Sequence, residues 1–432
     1  MSEHVVPDAP TTRWWSARGV VVLLVVGAAL ALVLRVVATG TEVPERGHPL
    51  ANGLALTPPM GWNSWNTFGC DIDEAVVRRE ADALVSSGMR DAGYRYVVVD
   101  DCWFEPARDA AGDLRASSAR FPHGMRALGD YLHARGLLFG LYESPSSQTC
   151  AQLAGAYPGS TGSRGHEVQD AARFAGWGVD YLKYDWCSTS GSTADQVRAF
   201  ARMRDALAAS GRAIVFSINP NSAHDTTGAE RYWGDVANLW RTTQDITDLW
   251  TTGQSSDGPL GVQDIVDQNV PLAPLAAPGG WNDPDMLEVG RPGLTREEQR
   301  SHFALWAMMA APLIAGNDVA HQDAATSALL RSRVLVSIDQ DPLGRQAVQV
   351  AHDGTTRVLT RRLSGGRLAV ALVNEGTTSR TIEVDRATLG LDGGRRVAVD
   401  AWTGRRSAVG ATLRSTVPAH GTAVRVVLRA AG

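Results

Sequence analysis

Lysine is almost absent from this chain: of 41 basic side chains forty are arginine, and Lys183 stands alone. The 46 acidic residues leave a formal charge of −5 with no basic block, which argues against a nucleic-acid partner. No Asn-x-Ser/Thr triplet occurs, so no N-linked glycan is expected. The ten histidines and four cysteines lack the clustered spacing of a zinc site. No metal or cofactor is therefore expected, and His224, His302 and His321 are read as structural.

Residues Gly19 to Leu34 form an uninterrupted apolar run, preceded by Arg13 and Arg18 and closed by Arg35. The run is short for a membrane span of about 20 residues and long for a signal-peptide core. Val36-Val-Ala38 offers a small-residue cleavage site. Residues 1–40 are read as a signal peptide or an N-terminal membrane anchor, the tether being residues 19–38, and 41–53 as a linker. Both readings export the remainder, because the positive flank stays inside. The chain is thus expected to be extracellular, or membrane-anchored with its catalytic domain outside. In such a compartment four cysteines suggest two disulfides, with three possible pairings.

At 432 residues the chain holds one large domain and a smaller one. Between about Leu54 and Arg345 short β-rich runs alternate with amphipathic stretches. The clearest strands are Tyr94–Asp101, Leu137–Glu143, Asp180–Asp185 and Ala213–Asn219. Helical patterns cover Ile72–Ser87, Met125–Arg135, Ala194–Ala209 and Arg296–Met309. About eight such units fit a (β/α)8 TIM barrel over residues 54–345, with a doubly wound sheet as the rival. Residues with chemical purpose fall at the strand ends, and a barrel gathers all such ends on one rim. The cysteines follow the first four strands in turn. Neighbouring strands would therefore bring Cys70 to Cys102 and Cys150 to Cys187.

After Gln346 the pattern changes to short β-rich runs separated by glycine-rich turns: 357–363, 368–374, 381–384, 396–402 and 424–428. Residues 346–432 read as a C-terminal antiparallel β-sandwich of structural role.

In the segment Tyr181-Leu-Lys183-Tyr-Asp185, the i, i+2 spacing on a strand puts ammonium and carboxylate on one face. A compact lysine fits there where a planar arginine fork would not. Its charge is expected to keep Asp185 ionised and nucleophilic. Asp245, about two strands later, is the second acid; burial among tryptophans and a neighbouring Asp185 would raise its pKa and suit it to general acid work. Two carboxylates flanking a sugar are the minimal apparatus for glycoside cleavage. The competing reading of Asp245 is a plain i, i+4 pair with Arg241 on a helix. Asp100 and Asp101 end an apolar strand and suit two sugar hydroxyls, with a divalent metal as the rival ligand. The loop Gly280-Trp-Asn-Asp283-Pro-Asp285-Met286 is rigid and acidic, and is expected to orient the rim. Thirteen tryptophans against eight phenylalanines favour carbohydrate weakly.

Several motifs, in order, make the chain resemble glycoside hydrolase family 27, the melibiase-type α-galactosidases. They are Met60-Gly-Trp62-Asn-Ser-Trp65, Val99-Asp100-Asp101-Cys-Trp103, Arg120-Phe-Pro-His-Gly124 and Tyr181-Leu-Lys183-Tyr-Asp185. Trp240-Arg241 with Asp245, Gly279-Gly-Trp-Asn-Asp-Pro-Asp-Met286 and Ile338-Asp339-Gln340-Asp341-Pro-Leu-Gly344 complete the set. The resemblance implies a retaining hydrolase in which Asp185 attacks the anomeric carbon and Asp245 is acid and then base. It implies that Asp100 and Asp101 accept the 4- and 6-hydroxyls of galactose, Lys183 holds the 3- and 4-hydroxyls and Arg241 the 2-position. Trp65 would form the floor, and Tyr142 and Met286 the side. Cys150–Cys187 matches the family's rim disulfide.

Two departures stand out. Asp339 occupies a position where relatives often carry asparagine. The loop Ser217-Ile-Asn219-Pro-Asn-Ser222, which faces the 2-substituent in the family, matches neither the galactosidase nor the N-acetylgalactosaminidase residue set. The expected substrate is a terminal α-galactoside of an oligo- or polysaccharide. An α-N-acetylgalactosaminidase and a noncatalytic sugar-binding barrel are the alternatives. The intact Asp100-Asp101 pair argues against a β-L-arabinopyranosidase.

Overall fold

The computed structural model describes residues 48–222, 231–255, 258–391 and 393–430. Among these, no helix is long and apolar enough to cross a membrane. The apolar segment 19–38 and His224 lie outside the described residues.

Four short strands open the fold: β1 (Met60–Asn63), β2 (Tyr96–Val99), β3 (Leu138–Glu143) and β4 (Tyr181–Asp185). Four more follow: β5 (Val215–Asn219), β6 (Leu239–Arg241), β7 (Trp281–Asp283) and β8 (Leu313–Ala315). All pair in parallel, in the order β7-β6-β5-β4-β3-β2-β1-β8. A single parallel bridge between Leu287 and Ala315 joins the two ends, with Leu287 N donating to Ile314 O and Gly316 N to Leu287 O. The expected (β/α)8 barrel is present, with a thin seam beside β8.

Alternation along the strands decides which side chains meet inside. Leu182 and Tyr184 of β4 join the large core under the helices, as do Val97 and Val99 of β2 and Phe216 and Ile218 of β5. Val98, Tyr181, Val215 and Leu239 take the other face, with Trp281, in a small cluster inside the barrel. The next inward positions along these strands are Asp100, Lys183, Ser217 and Arg241. The barrel is therefore apolar below and charged at its carboxyl end. Gly140 of β3 keeps the strands close, since a Cβ there would lie 2.7 Å from Val98 Cγ2.

The helices begin where side chains satisfy their first N–H groups. Asp73 accepts from Val76 N at the start of Glu74–Ser86. Reciprocal capping boxes open Thr193–Ala209 (Ser192 with Asp195) and Arg296–Met309 (Thr295 with Glu298).

Beyond the barrel lie β9 (Val348–His352), β10 (Thr356–Leu363), β11 (Arg367–Asn374) and β12 (Arg380–Asp385), then β13 (Arg396–Asp400), β14 (Arg406–Ala408), β15 (Thr412–Val417) and β16 (Thr422–Arg429). Six form an antiparallel sheet, β14-β13-β16-β11-β10-β9, and β12 pairs with β15. Val370, Leu372, Ile382, Val384, Leu413 and Val417 fill the space between the two layers. This is the expected β-sandwich, with three strands more than the five apolar runs suggested. The additional strands are β9, β14 and β15: β9 and β14 are short and mostly exposed, and β15 carries only Leu413 and Val417 as apolar side chains among polar ones. The sandwich locks onto the barrel through Arg361, which is fully buried and donates to the carbonyls of Ala307 and Asp339.

Candidate active site

A pocket of about 280 Å³ opens at the carboxyl ends of the barrel strands. Its wall takes Trp65 after β1, Asp100 and Asp101 after β2, Tyr142 from β3, Lys183 and Asp185 from β4, and Arg241 and Asp245 around β6. Met286 lines it from the loop after β7. One pyranose ring, with its hydroxyls, fits such a volume.

The charges are tightly arranged. Lys183 Nζ donates to Asp100 Oδ2 at 2.8 Å and lies 3.7 Å from Asp185 Oδ2. Asn63 Nδ2 donates to the same Asp100 oxygen at 2.7 Å. The Oδ2 of Asp101 accepts from Ala151 N at 2.9 Å. Arg241 Nη2 bridges Asp285 Oδ2 at 2.7 Å and Asp245 Oδ1 at 3.1 Å. Asp285 adopts a left-handed backbone, with φ of 79°, and also accepts from Ile246 N and Met286 N. That residue therefore ties the β7 loop to the stretch carrying Asp245.

Burial dominates the acid–base behaviour. It pushes the Asp185 carboxyl up to about 7, against the pull of Lys183, and Asp185 Oδ1 has no hydrogen-bond partner among the described residues. Burial also raises Asp101 to about 6, with the Ala151 N–H opposing and Asp100 assisting. For Lys183 burial disfavours the charge, but Asp100 and Asp185 together outweigh it and hold the ammonium above its ordinary value. Arg241 is likewise opposed by burial and held up by Asp285 and then Asp245.

Three expectations change. Lys183 pairs first with Asp100, and its pull on the Asp185 carboxyl is outweighed by burial. Asp245 is not buried among tryptophans: its side chain is 63% exposed, and its pair with Arg241 joins the end of β6 to the loop that follows, not two turns of a helix. Asn219 does not line the pocket. Its Oδ1 accepts from Asn221 N, and it faces a smaller space of about 30 Å³ beneath, whereas Ser222 reaches the pocket wall. Asn63, not singled out beforehand, was legible in the motif at residues 60–65, where alternation on β1 places it opposite to Trp62.

Both disulfides are formed, Cys70–Cys102 and Cys150–Cys187, with Cα atoms 5.2 and 4.8 Å apart. The second borders the pocket through Cys150, and Tyr142 Oη lies 3.2 Å from Cys187 Sγ. His302 is buried, accepts from Glu288 N and is pushed down to about 3 by burial, away from the pocket wall. His321 pairs with Asp318 at the surface. Among the described residues no group of three or more His, Cys, Asp or Glu side chains has metal-holding geometry.

An acid-walled pocket on the carboxyl rim of a (β/α)8 barrel defines a glycoside hydrolase type of site. Residues 57–341 match the family model described as alpha galactosidase A, and residues 353–427 the alpha galactosidase C-terminal beta sandwich domain. The chain belongs to the melibiase-type α-galactosidase family, glycoside hydrolase family 27. It is 44% identical to alpha-galactosidase 2 of Arabidopsis thaliana over 352 residues, 81% of this chain and 84% of the relative. With alpha-galactosidase A of Cellvibrio japonicus it shares 40% identity over 418 residues, 93% of this chain and 97% of the relative. The α-galactosidase of Saccharomyces cerevisiae solved with raffinose superposes with a TM-score of 0.81 at 30% identity, covering 89% of this chain and all of that one.

Proposed function

We propose that this chain is a retaining α-galactosidase that removes terminal α-linked galactose from oligo- or polysaccharides. The observation that carries this is one sugar-sized pocket whose wall holds Asp185 and Asp245 together with Asp100, Asp101, Lys183 and Arg241.

In the proposed reaction the Asp185 carboxylate attacks the anomeric carbon while Asp245 gives its proton to the leaving glycosidic oxygen. A galactosyl ester on Asp185 results. Asp245, now ionised, takes a proton from water, whose oxygen displaces Asp185 and releases galactose with its α-configuration retained. The exposure of Asp245 suits this double role, because the leaving sugar and the incoming water pass it in turn. Asp100 and Asp101 accept the 4- and 6-hydroxyls, and Lys183, anchored on Asp100, donates to the 3- and 4-positions. Trp65 supplies an apolar floor, with Tyr142 and Met286 at the side. Arg241 and Ser222 face the 2-substituent. The raffinose bound by the yeast relative supports raffinose-type oligosaccharides as substrates.

The disulfides support an oxidising compartment. We read residues 1–40 as the export signal or anchor that delivers the enzyme there. Fractionation of cells producing the full chain separates these: a cleaved signal leaves activity in the medium, an anchor leaves it on membranes.

The function is tested with nitrophenyl α-galactoside against its 2-acetamido analogue. Turnover of the galactoside alone, or at least tenfold faster, is expected. Faster turnover of the acetamido sugar would make this an N-acetylgalactosaminidase, and inactivity on both would leave a sugar-binding barrel.

A further inference from the structure

We propose that the seam between barrel and sandwich binds an acidic polysaccharide, a chain of uronate residues, at a site remote from the catalytic pocket.

Charge is shared unevenly along the chain. Residues 346–432 hold thirteen arginines against six carboxylates, a formal +7, and residues 1–345 carry the remaining −12. Part of the excess is gathered in one place. A groove of about 1180 Å³ is lined by Arg345, Arg362, Arg367, Arg396 and Arg429. A further stretch of about 650 Å³ continues it past Leu343, Arg345 and Leu389 to Pro278. Arg396 and Arg429 are register partners on β13 and β16, which sets two guanidinium groups side by side on the groove wall. Arg367 is matched by Asp341 at 2.9 Å. Arg345, Arg362 and Arg429 are exposed and make no ion pair among the described residues. Exposed guanidinium forks such as these three suit carboxylates, which they bind in a bidentate manner.

Shape and lining choose the kind of anion. The groove exceeds the roughly 300–1,000 Å³ of a small-molecule pocket, which suits a polymer segment. Leu343 and Leu389 lie among the arginines, and a uronate presents both a C–H ring face and a carboxylate. No Trp, Tyr or Phe lines either stretch, so the stacking platform used for single-stranded nucleic acid is missing. The surface is concave, which a flat bilayer does not fill. Pro278 precedes β7, at the end of that strand opposite to Asp283, so the groove opens on the far side of the barrel from the pocket. The inference is therefore independent of the hydrolytic reading.

Affinity electrophoresis of the full-length protein through gels holding polygalacturonate, fully methyl-esterified polygalacturonate or no polymer tests the assignment. Polygalacturonate should retard the protein, the ester should not, and added salt should release it. The double variant Arg362→Gln/Arg429→Gln should bind about tenfold more weakly while hydrolysing nitrophenyl α-galactoside at the parent rate. Arg345→Gln serves as a second variant if the double variant melts early. Equal retardation of parent and variants, or retardation by the ester as strong as by the acid, overturns the proposal. So does tighter binding to single-stranded DNA or to phosphatidylglycerol vesicles. Inactivity of parent and variant alike on the galactoside would count against the hydrolytic function and leave this one standing.

Discussion

Lys183 donates to Asp100 across 2.8 Å, joining the end of β4 to the end of β2 over the mouth of the barrel. The same ammonium lies 3.7 Å from Asp185, so one small cation organises two carboxylates with separate tasks. Arginine would carry the charge on a plane too wide for the space between them. Lys183→Arg should lower kcat/KM about 100-fold through displacement of both acids, with the fold retained. Steady-state kinetics on nitrophenyl α-galactoside, beside a melting curve, check this. Wild-type kinetics in the variant would mean that the lone lysine is incidental.

Asp185→Asn removes the proposed nucleophile and a carboxyl that burial raises to about 7. Turnover should fall on the order of 10^4-fold or more. Stability should move the other way. The folded state holds the proton more tightly than the unfolded chain does, so parental stability declines as pH rises from about 4 to 7. The variant lacks that decline, and at pH 7.5 it should melt no lower than the parent. Calorimetry at pH 5 and 7.5 measures the difference; a variant that keeps substantial turnover ends the assignment.

Much of this site is legible in the sequence. The i, i+2 pair of Lys183 and Asp185 follows from strand period alone, and the strand-end placement of Asp100, Asp101 and Arg241 follows from barrel topology. What was not legible depends on distances between segments far apart in sequence. That Lys183 prefers Asp100 over its own strand neighbour is set by β2–β4 geometry. The exposure of Asp245 depends on how its loop leaves β6, and Asp285 fixes that loop through Arg241 across some forty residues. Asn219 sits on the inward face of β5 in register with Asp185, yet its Oδ1 is taken by Asn221 N and the residue borders the smaller space beside Lys183 and Asp185. In the sandwich, β9 and β14 are exposed edge strands, which carry too little apolar periodicity to read.

Asp285 touches Arg241, Ile246 N and Met286 N at once. Asp285→Asn leaves the Arg241 guanidinium in a buried place with its nearer counter-charge gone. Breaking such a pair costs about 3 kcal/mol. The melting temperature should fall, and kcat/KM should drop at temperatures well below the transition, because the stretch bearing Asp245 loses its anchor. A variant with reduced melting temperature but parental kcat/KM would show that Asp285 supports the fold and not the position of the acid.

Asp339 is fully buried, has one oxygen without a partner among the described residues, and is pushed up to about 8 by burial against the opposing charge of Arg361. Its other oxygen accepts from Gln340 Nε2, and Arg361 reaches its backbone carbonyl, not its carboxyl. Folding therefore favours the protonated acid. Below pH 4 the acid is protonated in both states and its contribution is intact. Between about pH 4 and pH 8 the unfolded chain ionises while the folded one does not, and stability drains away with a slope of about 1.4 kcal/mol per pH unit at most. Asparagine has the shape of the protonated acid and cannot ionise. Asp339→Asn should therefore match the parent near pH 4, and its advantage in melting temperature should widen steadily up to pH 8. A constant difference across that range, or a variant less stable at pH 8, would mean that the carboxylate is ionised in the fold and paired with Arg361 after all.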